Sequence, residues 1–377
     1  MKRLFTFILF FAMQFSWAQQ AVEKDSFNMP GIVEKLFDTA DRMVDRFSGK
    51  SWIFIPALTY SPETSLGIGA RAIKVFKPKE DINGRPSTIP ITLLYTLNEQ
   101  VIFTSALDLW MNGNADHLYA RLELSDYPFK FYGIGDDPGA KSEEDYASRS
   151  VQVQFSYQKR LASALYLGPQ YKFTAADIYR KEVGGLLDSG RLLGSNGQRT
   201  SGIGLVVNFD TRDNIFQPGR GSFHQASFMS FRSFLGSEFT FSQYQLDLRK
   251  YKTIYDRQVL AVQAWYSVTT GNAPFQQLSL LGGSDLMRGY FEGRYRDRNA
   301  MVYQAEYRVP VYRKLGLVVF GSAGQVAAKL STFSLNRLRY GGGLGFRYQL
   351  TEDGLNLRLD LAYGNQRAFY FGLNEVL

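Results

Sequence analysis

From Ser51 onward the chain alternates apolar and polar residues with a period of two, the pattern of strands that bury one face and wet the other. In Val151-Gln-Val-Gln-Phe-Ser-Tyr157, Val151, Val153, Phe155 and Tyr157 share one side, and Gln152, Gln154 and Ser156 the other. Leu355-Asn-Leu-Arg-Leu-Asp-Leu361 repeats this with Asn356, Arg358 and Asp360 on its polar side. Val101, Phe103, Leu107 and Leu109 likewise oppose Thr104 and Asp108. About sixteen such segments can be counted, at 51–60, 65–76, 88–98, 101–111, 116–126, 148–160, 164–176, 201–210, 221–232, 238–251, 256–269, 300–309, 315–327, 338–350, 355–363 and 366–374.

An even number of strands, many of about ten residues or more, with short connections on one side and longer ones on the other, fits a barrel that crosses a membrane. A strand of about ten residues tilted near 45° spans the hydrocarbon. A soluble β-sandwich alternates too, but its strands run near five to six residues and its polar face is the outer one. Here charges such as Arg358 and Asp360 lie mid-strand and aromatics crowd the strand ends, as in a wet lumen bounded by interfacial girdles. The expected fold is all-β, a 16-stranded antiparallel transmembrane β-barrel over residues 50–377. With both barrel ends periplasmic, the long external connections are 127–147, 177–200 and 270–299, and 161–163, 252–255, 310–314 and 351–354 are tight periplasmic turns.

Ahead of the barrel, Met1-Lys2-Arg3, an apolar run from Leu4 to Phe15 and Ser16-Trp17-Ala18 have the layout of a signal peptide over residues 1–18, cleaved after Ala18. About a dozen apolar residues are too few to span a membrane as a helix. Residues 19–49 form a leader and one short N-terminal amphipathic helix. Ile32, Val33, Leu36, Phe37, Ala40, Met43, Val44 and Phe47 make one face, charged residues the other, and Gly49 the stop. That helix fits a lumen plug, an inner-leaflet surface helix or a docking element. The localisation this implies is the outer membrane of a diderm bacterium. A net charge of +8 on an exported chain points to a lumen lining or anionic lipid rather than nucleic acid.

Enzymatic readings lack parts. With no cysteine there is no disulfide scaffold, thiolate nucleophile or thiolate metal site. His117 and His224 are the only histidines, neither in an H-E-x-x-H motif, and there is no G-x-S-x-G elbow. Gly67-Ile-Gly69-Ala-Arg-Ala72 mimics a dinucleotide turn but sits in an alternating strand without a following helix. Gly133-Ile-Gly135-Asp136-Asp137-Pro138-Gly139 carries carboxylates that suit calcium, and reads more simply as a turn. No cofactor and no metal is expected.

The Gly- and Arg-rich connection 280–299 contains Gly282-Gly283 and then Met287-Arg288-Gly289-Tyr290, and leads through Asn299 into a strand carrying Glu306. This resembles the loop signature of the BamA/TamA family of outer-membrane barrels, the bacterial surface antigen family, and strand parity places the loop at the sixth external position, where that family carries it. Asp210-Thr-Arg212-Asp213-Asn214 with Gln217-Pro218-Gly219-Arg220-Gly221 resembles the family's D-x-R-D-N…P-x-x-G turn, although the same residues also make good turn chemistry on their own. The resemblance runs over most of residues 201–377. It implies that Arg288 folds into the lumen with Gly289 and Tyr290 and pairs with Glu306, a guanidinium suiting a carboxylate through two parallel hydrogen bonds. One departure concerns Phe320-Gly321-Ser322-Ala323-Gly324. Ser322 stands where the family has an Asp between the aromatic Phe320 and Gly324, which leaves Asp285, Asp297 or Asp360 to supply a second carboxylate. A second departure is that the residues between Ala18 and Lys50 leave no room for the periplasmic POTRA repeats of the family's assembly members.

The resemblance implies a non-enzymatic barrel assisting insertion or translocation of polypeptide, or lipid, at the outer membrane. Its expected partners are outer-membrane lipid and other barrel-assembly or periplasmic proteins. The first and last strands would supply a gate, and Pro56 removes one ladder donor from the first. The alternatives are a passive or helix-plugged transport pore and a structural surface protein.

Overall fold

The computed structural model describes residues 52–78, 84–137, 143–350, 354–373 and 375–377; the expected signal peptide and N-terminal helix lie outside them. Sixteen strands close into one antiparallel barrel. They are β1 (Ile53–Ser61), β2 (Ser65–Phe76), β3 (Ser87–Thr96), β4 (Val101–Met111), β5 (Asp116–Phe131), β6 (Glu144–Ala162), β7 (Leu165–Lys181), β8 (Gly197–Asp210), β9 (Gly221–Phe231), β10 (Phe241–Tyr255), β11 (Gln258–Gly271), β14 (Asn299–Tyr312), β15 (Leu315–Ala327), β16 (Arg339–Gln349), β17 (Asn356–Tyr363) and β18 (Arg367–Leu373). Between β11 and β14 a separate two-stranded hairpin, β12 (Ser279–Leu281) with β13 (Tyr295–Asp297), belongs to the long external connection. The only helical elements among the described residues are short 3-10 turns.

Alternation decides which side each residue faces. On β8, Ile203, Leu205, Val207 and Phe209 are exposed outward, while Val206, Asn208 and Asp210 between them are buried inward. On β17, Asn356, Arg358 and Asp360 are buried and Leu361 and Tyr363 exposed. A soluble protein would not turn this much aliphatic surface outward, whereas a barrel in lipid must. Closure is equally forced, because hydrocarbon offers no partner to an unpaired strand edge.

The structure corrects several expected connections. β5 continues to Phe131 and β6 begins at Glu144, with paired residues from Tyr127↔Ser148 to Phe131↔Glu144, so the expected 127–147 loop is confined to 132–143. β7 and β8 similarly shorten 177–200 to 182–196. These extensions stand above the lipid, where polar residues such as Lys130 and Asp145 face water and the apolar-outward signal fades. Their inner aromatics Phe131 and Tyr146 pack on Phe275 from the long connection instead. On the other side, the expected turns 161–163, 252–255 and 310–314 tighten to two residues each, entered through register shifts near Arg160, Thr253 and Pro310.

The wall is weakest where it closes. β1 pairs with β2 along its whole length, from Ile53↔Ile73 to Ser61↔Ser65. Among the described residues its register with β18 is the pair Tyr60↔Phe371, supported by the Thr59 hydroxyl donating to the Phe371 carbonyl at 3.0 Å. β17 and β18 are also the shortest strands of the barrel, at 8 and 7 residues. In hydrogen–deuterium exchange on the barrel in lipid, amides of Ile53–Ala57 that point away from β2 are expected to exchange roughly tenfold or more faster than those of β6 and β7. Uniform protection around the wall would contradict a short seam.

Candidate functional site

The long connection folds back into the lumen, and positive-φ residues make its reversals: Gly282 and Gly283 after β12, then Met287 and Gly289 on either side of Arg288. Gly289 is fixed by sterics as well as by φ (+96°), since a Cβ there would come within 2.7 Å of the Gly364 nitrogen. The wall is cut away to receive the loop. A Cβ on Gly324 would meet the Met287 sulfur at 2.4 Å, and one on Gly341 would approach the Arg288 carbonyl at 2.9 Å. Met287, Tyr290, Tyr295 and Leu281 then pack on Val302 and Val326 of β14 and β15. The Met287 amide donates to Gln304 Oε1 at 3.0 Å, the Gly289 amide to the Tyr370 hydroxyl at 3.1 Å, and the Tyr290 hydroxyl to the Tyr340 carbonyl at 2.8 Å.

Arg288 stands at the tip, 2% exposed, over the face of Phe320 with its guanidinium carbon 3.5 Å from the ring centroid. Its Nη2 lies 2.5 Å from Glu306 Oε1 and its Nη1 2.5 Å from Asp360 Oδ2. The second oxygens of these carboxylates carry the pattern onward. Glu306 Oε2 is 3.1 Å from Arg308 Nη2, and Asp360 Oδ1 is 2.6 Å from Arg347 Nη1. Glu375, beyond β18, closes the circuit with Oε2 at 2.8 Å from Arg347 Nε and 3.7 Å from Arg308 Nε. Three arginines and three carboxylates thus alternate in a buried ring that joins the loop, β14, β16, β17 and the segment after β18. A buried charge desolvated by several kcal/mol persists only when paired on all sides, and here every member has an opposite charge on each flank.

The residues singled out by sequence are distributed as follows. Arg288 and Glu306 meet, and Gly289, Tyr290 and Phe320 surround them. Ser322 makes no ion pair; its hydroxyl donates to the Gly341 carbonyl at 3.4 Å, and Asp360, two strands along, takes the second place at Arg288. Asp285 is exposed and 3.9 Å from Arg358, and Asp297 lies in β13 away from the ring, its carboxylate accepting the Arg298 amide at 2.8 Å. Arg308, Arg347 and Glu375 were not singled out, although Glu306 and Arg308 at i, i+2 repeat the inward spacing of Arg358 and Asp360. The turn residues lie elsewhere, between β8 and β9. Asp210 accepts Arg212 at 3.0 Å and Arg85 at 2.6 Å, Asp213 Oδ1 accepts the amides of Gly219 and Arg220, and Asn214 Oδ1 those of Phe216 and Gln217. Pro218 is buried, and Gly221 (φ +102°) would place a Cβ 2.1 Å from the Thr211 carbonyl. That motif braces the turn after β8 close to the ring's neighbours: Arg212 lies over Phe223, which packs on Val376 and Leu377, and a Cβ on Gly354 would meet Gln217 at 3.0 Å. Among the described residues no cluster of His, Cys, Asp and Glu could hold a metal ion; Asp136 instead lies 3.5 Å from Arg339.

Beside the ring, against the seam, is a cavity of about 220 Å³ bounded by Tyr60, Glu63, Glu292, Arg358 and Tyr370. The Glu292 side chain is exposed to this cavity, yet the mass of protein around the lumen desolvates its carboxyl, and this, with Glu63 and Asp285 nearby, pushes its pKa up to about 7.

Two predictions follow from this geometry. Arg288→Met leaves Glu306 and Asp360 each short of a cation, and is expected to destabilise the barrel by about 3–5 kcal/mol and make the loop sensitive to external protease; a resistant loop at unchanged stability would contradict the bracing. For Glu292 the sign follows from a folded pKa above the unfolded one of about 4.3. The native state holds the extra proton between those values, so stability falls as pH rises through that window. Glu292→Gln should therefore stabilise at pH 8 and not at pH 4, as read by denaturant midpoint, whereas equal midpoint shifts at both would contradict it.

The barrel is similar to several solved structures. One is BamA from Haemophilus ducreyi lacking POTRA domains 1–3, with 12% identity over 87% of this chain and 70% of that one and a TM-score of 0.58. CdiB from Acinetobacter baumannii gives 11% identity, 87% and 60% coverage and a TM-score of 0.56, and CdiB from Escherichia coli 9%, 87% and 63%, and 0.57. At such identities the likeness is one of fold, and the chain spans less than two thirds of either CdiB. No curated protein matches the chain. Residues 82–375, which take in every barrel strand from β3 to β18 and the whole ionic ring, match the Omp85 superfamily domain. The chain belongs to the Omp85 superfamily of outer-membrane β-barrels.

Proposed function

We propose that this barrel assists the insertion or translocation of polypeptide, or of lipid, at the outer membrane of a diderm bacterium, without catalysing a covalent step. The observation that carries the reading is the seam. Among the described residues β1 meets β18 through one register pair, Tyr60↔Phe371, while every other neighbouring pair of barrel strands is joined by a ladder of several. Parting two strands in lipid exposes unpaired backbone groups at a cost of several kcal/mol each, so the shortest ladder is where a wall opens most cheaply.

In this reading the division of labour follows from the chemistry. Arg288 and Glu306 hold the external connection inside the lumen, so that the wall on the β14 to β17 side stays rigid while the β1 edge parts. Outer-membrane lipid flanks the opening on one side, and barrel-assembly or periplasmic proteins deliver the client on the other. A passive or plugged pore is the rival, together with a structural surface protein. The inserted connection, whose Phe275 packs on Phe131 and Tyr146 of the wall, favours a gate in the wall over conduction along the axis.

The absence of native cysteine makes the test clean. Tyr60→Cys and Phe371→Cys, placed directly opposite each other, should form a disulfide in the membrane, and the locked seam should impair assembly of other barrels and be rescued by reductant. Efficient locking with no effect on assembly or growth would remove the gate and leave the pore or structural readings.

A further inference from the structure

We propose that the cavity beside the ionic ring binds a compact zwitterion, with a phosphate at one end and a primary ammonium at the other, the chemistry of a phosphoethanolamine headgroup. This deepens the reading above by naming the class of lipid the barrel would handle, and it rests on that reading only for the route of entry. The cavity, of about 220 Å³, is bounded by Thr59 and Tyr60 of β1 and by Tyr370 and Gly372 of β18, so one wall of it is the seam itself. On the lipid side of that wall the rings of Tyr60 and Phe369 pack at 5.3 Å.

Arg358 is the cationic pole. The charges of the ring cancel among its own members, which leaves Arg358, the inward residue before Asp360 on β17, as a surplus cation. It is 6% exposed, and its Nε has no hydrogen-bond partner among the described residues. The carboxylate oxygens beside it are Asp360 Oδ2 at 3.7 Å, already taken by Arg288, and Asp285 Oδ1 at 3.9 Å, on an exposed side chain. A buried guanidinium is costly to leave without close anions, and its fork matches a phosphate. The anionic pole is Glu63, from the turn after β1, with Glu292 of the inserted connection. The Glu292 amide donates to Glu63 Oε1 at 2.9 Å, which brings both carboxylates to one cavity. Desolvation, with Glu63 and Asp285 nearby, holds the Glu292 carboxyl up at about 7, so a cation is the neighbour it lacks. A primary ammonium has three hydrogens for these carboxylates and the Ser284 and Thr64 hydroxyls that also line the cavity. A trimethylated ammonium has none to donate, and a headgroup bearing only the phosphate would add negative charge beside two glutamates without pairing either.

Native mass spectrometry of the full barrel in detergent, without any client, tests the site with phosphatidylethanolamine, phosphatidylcholine and phosphatidylglycerol of matched chains. The ethanolamine lipid should be retained roughly tenfold or more over the other two, and Arg358→Gln and Glu292→Gln should each lower its retention by a similar factor. Heat-modifiable mobility on gels checks that each variant is a folded barrel. Ser284→Leu, which fills the cavity from the inserted connection and leaves every charge in place, carries the same comparison if the arginine variant is not. Equal retention of the three lipids, or retention unchanged in the folded variants, would overturn the site. Free O-phosphoethanolamine distinguishes the sources: competition with the lipid makes the ligand a lipid headgroup, and binding of the free compound alone makes it a solute. The Tyr60→Cys, Phe371→Cys lock separates site from route. A locked barrel that takes the free compound and refuses the lipid supports entry through the seam, whereas one that takes both keeps the site and counts against the gate.

Discussion

A ring of alternating buried charge is the interaction on which the interior of this barrel depends. Arg288, Glu306, Arg308, Glu375, Arg347 and Asp360 come from five separate pieces of chain, and each is desolvated beyond what any single neighbour would offset. The ring is stable only when complete, because removing one member strands two others. That property makes it a junction rather than a set of pairs: the external connection, three wall strands and the segment after the closing strand are held by the same charges. The glycines of β15 and β16 serve it, since side chains there would keep the loop too far from the wall for Arg288 to reach.

Lipid imposes the opposing constraint. Every backbone group in hydrocarbon needs a partner, which forces closure, yet the closing strands are short and, among the described residues, share one register pair. The tall hairpins of β5 to β8, with 14 to 19 residues per strand, carry long ladders away from the seam, so rigidity and weakness are separated around the wall. The segment after β18 lies where the two constraints meet: Glu375 completes the ring just beyond the strand that closes the wall.

Strand number, parity and facing were legible in the sequence because water and lipid on opposite faces write a period of two into each strand. The signal failed where its cause is absent. Above the lipid both faces of β5 and β6 are wet or packed on loops, so Lys130 and Asp145 read as loop residues although they are paired in a ladder. The three-residue strands β12 and β13 are too short to display any period. At the site, family resemblance pointed to Arg288 and Glu306 by local pattern, and Asp360 was visible as a charge in mid-strand. Arg308 carried only the i, i+2 spacing from Glu306, and Arg347 and Glu375 had no local signal, for the closure of the ring depends on which strands adjoin. Ser322 is the instructive departure: the position emptied of charge on β15 is made good by Asp360 on β17.

The most direct test of this account is a double-mutant cycle between Arg288 and Glu375, which lie across the ring and share no direct contact. Arg288→Met, Glu375→Gln and the double variant would be compared by reversible unfolding in lipid. If the ring acts as one unit, the double variant should lose less than the sum of the singles, with a coupling of about 1 kcal/mol or more. Additivity within about 0.5 kcal/mol would mean that loop and seam are held independently, and would contradict the central claim.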